Sequence, residues 1–106
     1  MSTIKHIVIW KLHEQAEGAD KATNIQRMKE KLLACADLVP GTLRFEVATA
    51  ADAAAKGLEA TYDVILLSEF ADRAALDAYQ DHPEHVAIKG FIGAVREARQ
   101  CMDYES

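Results

Sequence analysis

His6-Ile7-Val8-Ile9-Trp10-Lys11-Leu12 runs β-branched and aromatic residues in succession, with apolar side chains at even and odd positions alike. Successive residues of a strand point to opposite faces, so this segment reads as a strand covered on both sides. Tyr62-Asp63-Val64-Ile65-Leu66-Leu67-Ser68-Glu69-Phe70 repeats the pattern, with Val64 to Leu67 offering apolar groups to both faces. Leu43, Phe45 and Val47 instead alternate with Arg44 and Glu46, which gives a strand with one more polar face. Cys101, Met102 and Tyr104 predict a short last strand.

Helical spacing fills the intervals. From about Asp20 to Ala36, Ile25, Met28, Leu32 and Cys35 or Ala36 recur at helical period, with Arg27, Lys29, Glu30 and Lys31 between them. Thr23 paired with Gln26, or Asp20, would start that helix. Val39-Pro40-Gly41 is a turn that ends it. Ala50 to Gly57 is alanine-rich and could form a loose helical turn, but reads as a surface loop or a long hairpin connection. Asp72 caps a short helix carrying Leu76 and Tyr79, and Pro83 fits the first turn of another, where its missing N–H costs nothing. Ile88, Phe91, Ile92 and Val95 form the stripe of that last helix, and Gly90 and Gly93 within it are expected to let it pack closely on the sheet.

The order is strand, helix, strand, strand, helix pair, strand. It predicts an α+β fold of the ferredoxin-like, split βαβ type: a four-stranded antiparallel sheet with helices on one face. Two of its strands are apolar on both faces, so the face away from the helices also needs a cover. Such a sheet face presents on the order of 400 Å² at the usual strand spacing and rise, the limit of what monomers expose. A second copy packed about a two-fold axis is the expected cover, which predicts a homodimer.

With 106 residues the chain is expected to form one domain over 1–106. Such a domain buries roughly two-thirds of its unfolded surface. A net charge of −5 argues against nucleic-acid and anionic-membrane partners, which call for a basic face. No apolar run approaches the roughly 20 residues of a membrane span. The N-terminus moves straight into a strand pattern without a signal-peptide design, and Cys35 and Cys101 lack metal or redox spacing. Two reduced, mostly buried thiols in a cytoplasmic protein are expected.

The densest chemistry lies in Ala75-Leu76-Asp77-Ala78-Tyr79-Gln80-Asp81-His82-Pro83-Glu84-His85-Val86. A histidine with a pKa near 6.5 suits a base and a tyrosine near 10 suits a neutral donor to a carbonyl. Tyr79 and His85 lie six apart across a helix break, so they converge only where Pro83 bends the chain. The bland alternative packs Tyr79 beside Leu76 and bonds His85 to a backbone carbonyl. His82, next to Pro83, suits a capping role. His6 shares a strand face with Val8 and Trp10, and that face is either the helix-covered core or the dimer side. A metal set of His6, His82 and His85 is disfavoured because Pro83 breaks its helical register and no carboxylate stands at a diagnostic spacing, so no metal is expected. No cofactor is expected either, since phosphate-binding glycine loops are absent.

The strands and turns quoted above, the Tyr-x-x-His-Pro-x-His core and the closing Asp103-Tyr104-Glu105 together resemble the stress-responsive dimeric α/β-barrel (Dabb) domain over nearly the whole chain. The resemblance implies a ferredoxin-like protomer whose sheet packs against its twin, in stress-associated proteins of plants and bacteria. One plant branch closes a linear tetraketide acid by aldol condensation. Its catalytic tyrosine and histidine fall on Tyr79 and His85, and its strand histidine falls on His6. A pocket tyrosine and a further histidine of that branch have no match in Ile25-Gln26-Arg27-Met28-Lys29 or Tyr62-Asp63-Val64.

The expected function is a stress-associated homodimer that binds a small, partly apolar carbonyl or aromatic compound in a cavity between helices and sheet. Tyr79 and His85 would act as donor and base, with His6 as the third polar group. The alternative is a dimer of the same kind without turnover. A haem-degrading or quinone-forming monooxygenase is a third class, which rests on fold analogy alone. An enclosed pocket reached by both Tyr79 and His85 favours the enzyme, and a Tyr79 packed away favours the second reading.

Overall fold

The computed structural model describes residues 2–106. Strand β1 (Ile4–Leu12) leads through a two-strand hairpin, β2 (Gln15–Ala16) and β3 (Ala19–Asp20), into helix α1 (Lys21–Leu33). Then come β4 (Thr42–Thr49), α2 (Ala50–Ala54), β5 (Val64–Phe70), α3 (Arg73–Asp81), α4 (Pro83–Val95) and β6 (Arg96–Glu105). The main sheet has the order β4-β5-β1-β6 with every neighbouring pair antiparallel. This is the ferredoxin-like arrangement that the order of elements predicts.

Register explains the two-sided strands. His6 pairs with Ser68, Val8 with Leu66 and Trp10 with Val64. All six are buried on the helix side, where Met28, Leu32, Ile92 and Val95 close the core over Val8, Trp10 and Leu66. The odd-numbered set, Ile7, Ile9, Ile65 and Leu67, lies on the opposite face and is only half-buried. Met102, opposite Ile7 on β6, is exposed on that face. A second cluster of Phe70, Leu76, Tyr79 and Cys35 fills the end of the sheet beside α3.

Asp20 caps α1, its side chain accepting from the Thr23 N–H at 2.9 Å, so the Thr23–Gln26 alternative is not used. The fully buried Asn24 donates to Ala16 O at 2.8 Å, which ties the small hairpin to α1. Asp72 caps α3 through the Ala75 N–H, and Pro83 occupies the first turn of α4. Gly41 sits at φ +88°, and a Cβ there would stand 3.1 Å from the Ala75 Cβ, so the turn needs glycine for conformation and for space.

Five local expectations are corrected. Ala50 to Gly57 is not simply a loop: Thr49 and Asp52 form a capping box that starts the short α2. The last strand is long, covering ten residues, because its ladder with β1, rather than an apolar pattern, makes Arg96-Glu97-Ala98-Arg99-Gln100 extended. Leu43 does not alternate inward with Phe45; a bulge between Thr42 and Arg44 leaves it exposed. Gly90 and Gly93 do not serve close packing, since a Cβ at either would meet open space. Only Cys35 of the two free thiols is buried; Cys101 is exposed on the edge strand.

Candidate functional site

A cavity of about 430 Å³ opens between α4 and the helix side of the sheet. Val8, Trp10, Leu66 and Ile92 give it an apolar wall, while His6, Gln80 and His85 supply polar groups. Its exposed lining carries Lys89, Arg96 and Arg99, with no carboxylate among the lining residues. In a chain of net charge −5, this concentrates positive charge at the exposed lining of the cavity.

His6 faces the helices, which settles its orientation. Its ring is buried, and Nδ1 meets the Asp103 carboxylate on β6 at 2.5 Å. A carboxylate only accepts, so Nδ1 carries the hydrogen, and in the neutral ring Nε2 is then the acceptor. His85 sits in the first turn of α4, where its Nδ1 donates to Gln80 O at 3.1 Å. Its Nε2 is likewise left as an acceptor. Burial holds the His85 imidazole below its ordinary value of 6.5; the Gln80 carbonyl pulls the other way, and Lys89, His6 and His82 add to the lowering. His85 is therefore neutral near neutral pH, with Nε2 able to accept a proton.

Tyr79 lies behind these rings and does not line the cavity. Its ring centroid stands 4.4 Å from His85, 5.2 Å from Phe70, 5.8 Å from Phe45 and 6.3 Å from His6. The residue is 1% exposed, and its hydroxyl has no hydrogen-bond partner. Burial pushes the phenol well above its ordinary value, so it stays protonated. The Trp10 N–H is a second buried donor without a partner.

The sequence model of the Stress responsive A/B Barrel Domain matches residues 4–106. The chain belongs to the Dabb family. It is similar to a dimeric protein of unknown function and ferredoxin-like fold from Bacteroides fragilis, at 28% identity and a TM-score of 0.77, covering 98% of this chain and 96% of that one. A Dabb family protein with a ferredoxin-like fold from Mesorhizobium loti is similar at 25% identity and a TM-score of 0.64, with 98% and 96% covered. A hydroxynitrile lyase from Passiflora edulis shares the fold at 17% identity and a TM-score of 0.71, with 98% and 93% covered. No curated protein matches the chain. No helix among the described residues is long and apolar enough to cross a membrane.

Within this Dabb protomer the break at His82-Pro83 folds α3 and α4 so that the Tyr79 and His85 rings meet at a tilt of 45°, which spacing alone leaves open. His82 caps α4, its Nδ1 accepting from the Glu84 N–H at 3.1 Å, the role its place before Pro83 predicts. It does not join His6 and His85 in a ligand set. Sequence reasoning missed Asp103 as the partner of His6, and the three cations of the cavity. Asp103 was visible only as part of a closing motif; its role depends on the β1–β6 register, which one strand cannot reveal.

Proposed function

We propose that this Dabb chain is a homodimer that binds a small, partly apolar carbonyl or aromatic compound between helices and sheet, with His85 as the base that meets it. The observation that carries the reading is the pair of imidazoles, His6 and His85, each with Nδ1 committed to an acceptor and Nε2 left free at one cavity. The cavity volume falls within the roughly 300–1,000 Å³ of small-molecule sites. In the step proposed, His85 Nε2 takes a proton from the carbon beside a carbonyl, and the electron pair moves to the carbonyl oxygen as an enolate. Lys89, Arg96 and Arg99 favour that developing charge. Tyr79 donates to the oxygen once the His85 ring, tilted against it at 4.4 Å, swings aside far enough to open the hydroxyl while keeping Nε2 at the substrate.

The half-buried Ile7, Ile9, Ile65 and Leu67 supply the surface on which a second copy packs, and the Bacteroides fragilis relative is described as dimeric. A cytoplasmic, stress-associated role is the family-level part of the proposal. A second reading, a ligand-binding dimer without turnover, is favoured by one observation: the Tyr79 hydroxyl is sealed from the cavity.

Trp10 is the single tryptophan and stands in the cavity wall, so its fluorescence reports occupancy. A panel of small aromatic ketones and β-keto acids should shift that emission for at least one member. The bound member should exchange its α-hydrogen for deuterium, and His85→Ala should lose the exchange. Emission unmoved by every member sinks the binding site. Binding without exchange supports the reading without turnover.

A further inference from the structure

We infer that His6, Cys101 and Asp103 form a site for a divalent transition metal of the zinc class, on the edge of the sheet next to the cavity. The β1–β6 ladder sets His6 opposite Asp103 and Val8 opposite Cys101. Cys101 and Asp103 are two residues apart on one strand and project to the same face, the face of His6. Their ligand atoms lie within 4.8 Å of one another. An imidazole nitrogen, a thiolate sulfur and a carboxylate oxygen are the donor types zinc takes, and three protein ligands leave its fourth position open.

The geometry is close to what a tetrahedral ion requires. Metal–ligand bonds of the zinc class imply ligand–ligand separations of roughly 3.3–3.6 Å. Cys101 Sγ already stands 3.7 Å from Asp103 Oδ1. The His6–Asp103 contact, at 2.5 Å, must open by about 1 Å, the difference between it and that requirement. Asp103 and Cys101 are exposed on an edge strand, so their side chains have room to turn and the ion has an entry path, while His6 is buried and fixed. On binding, the Cys101 thiol releases its proton to solvent. The His6 ring gives up the hydrogen at Nδ1 and takes one at Nε2, so no proton is lost from the imidazole. The ion, the thiolate and the carboxylate together carry no net charge. His6 then offers the cavity a donor instead of an acceptor, which couples metal binding to the ligand site.

Titration of the full chain with Co2+ tests the site, because thiolate ligation gives a sulfur-to-cobalt charge-transfer absorption that oxygen and nitrogen ligands do not. One Co2+ per chain with that absorption, displaced by Zn2+, is expected. Cys101→Ser should abolish the charge-transfer band, Asp103→Asn should weaken Co2+ binding at least tenfold, and Cys35→Ser should change neither. Cys101 is exposed, so its serine variant should keep the far-UV circular dichroism of the wild type. Absence of the band in the wild-type protein overturns the proposal, as does a band that survives Cys101→Ser or vanishes in Cys35→Ser. Neither result depends on whether the cavity binds a carbonyl compound.

Discussion

Replacing Tyr79 by phenylalanine should make the protein more stable. The hydroxyl is buried with no hydrogen-bond partner, and the ring is held by Phe70, Phe45, His85 and His6. A buried polar group without a partner costs about 1–3 kcal/mol. Tyr79→Phe removes that penalty, keeps the ring contacts and leaves a void of one oxygen atom. The expected gain is about 1 kcal/mol, which for a domain near this size raises Tm by roughly 4–8 °C. Tyr79→Ala, by contrast, should lose about 3–5 kcal/mol through the cavity it opens. Urea unfolding of wild type and both variants measures the differences, at one protomer concentration so that association does not bias them. Tyr79→Phe less stable than wild type by 1 kcal/mol or more (about that figure being the net worth of a typical hydrogen bond) would show that the hydroxyl is bonded in the folded protein. Gain of stability joined to loss of deuterium exchange in a bound ketone would mark Tyr79 as a residue kept for chemistry at the expense of the fold.

Three other outcomes follow from the same geometry. His85 has a folded pKa below its unfolded value of 6.5, so the unfolded chain binds more protons as pH falls below 6.5; stability should be full above that pH, decline beneath it and level off under the folded pKa. The urea midpoint at about pH 5 should lie below that at about pH 8, and His85→Gln should flatten the part of the slope that His85 contributes. Gly41→Ala should lower stability by about 1–2 kcal/mol from the left-handed backbone, with the 3.1 Å approach to Ala75 adding to it. Leu67→Asp, on the face opposite the helices, should yield monomers in sedimentation at micromolar concentration while keeping the circular dichroism of the wild type; an intact dimer would refute the assignment of that face.

Local chemistry was legible wherever one segment contained its own cause. Asp20, Asp72 and Pro83 mark helix starts because a cap or an N1 proline acts on the next three residues. The two-sided apolar runs of β1 and β5 predict the central strands, since only central strands meet partners and covers on all sides. The edge strand β6 was underestimated for the converse reason: its charged residues are held by backbone pairing with β1, which leaves no apolar signature. The capping box at Thr49 and Asp52 was present in the sequence, yet without a buried stripe the alanine-rich stretch offered only a weak helical signal against the loop reading.

The sequence alone therefore determined the order of the main sheet's strands and the larger helices, the ferredoxin-like class and the segment that carries Tyr79 and His85, because periodicity and capping are properties of consecutive residues; the β2–β3 hairpin and α2 were not among them. Only the tertiary structure decided which face His6 uses, that Asp103 holds its ring, that Cys101 stands beside both, and that Tyr79 is shut behind His85. Those facts depend on strand register, which is set by contacts between residues far apart along the chain, and on the angle at which α3 and α4 meet at Pro83, which spacing alone does not give.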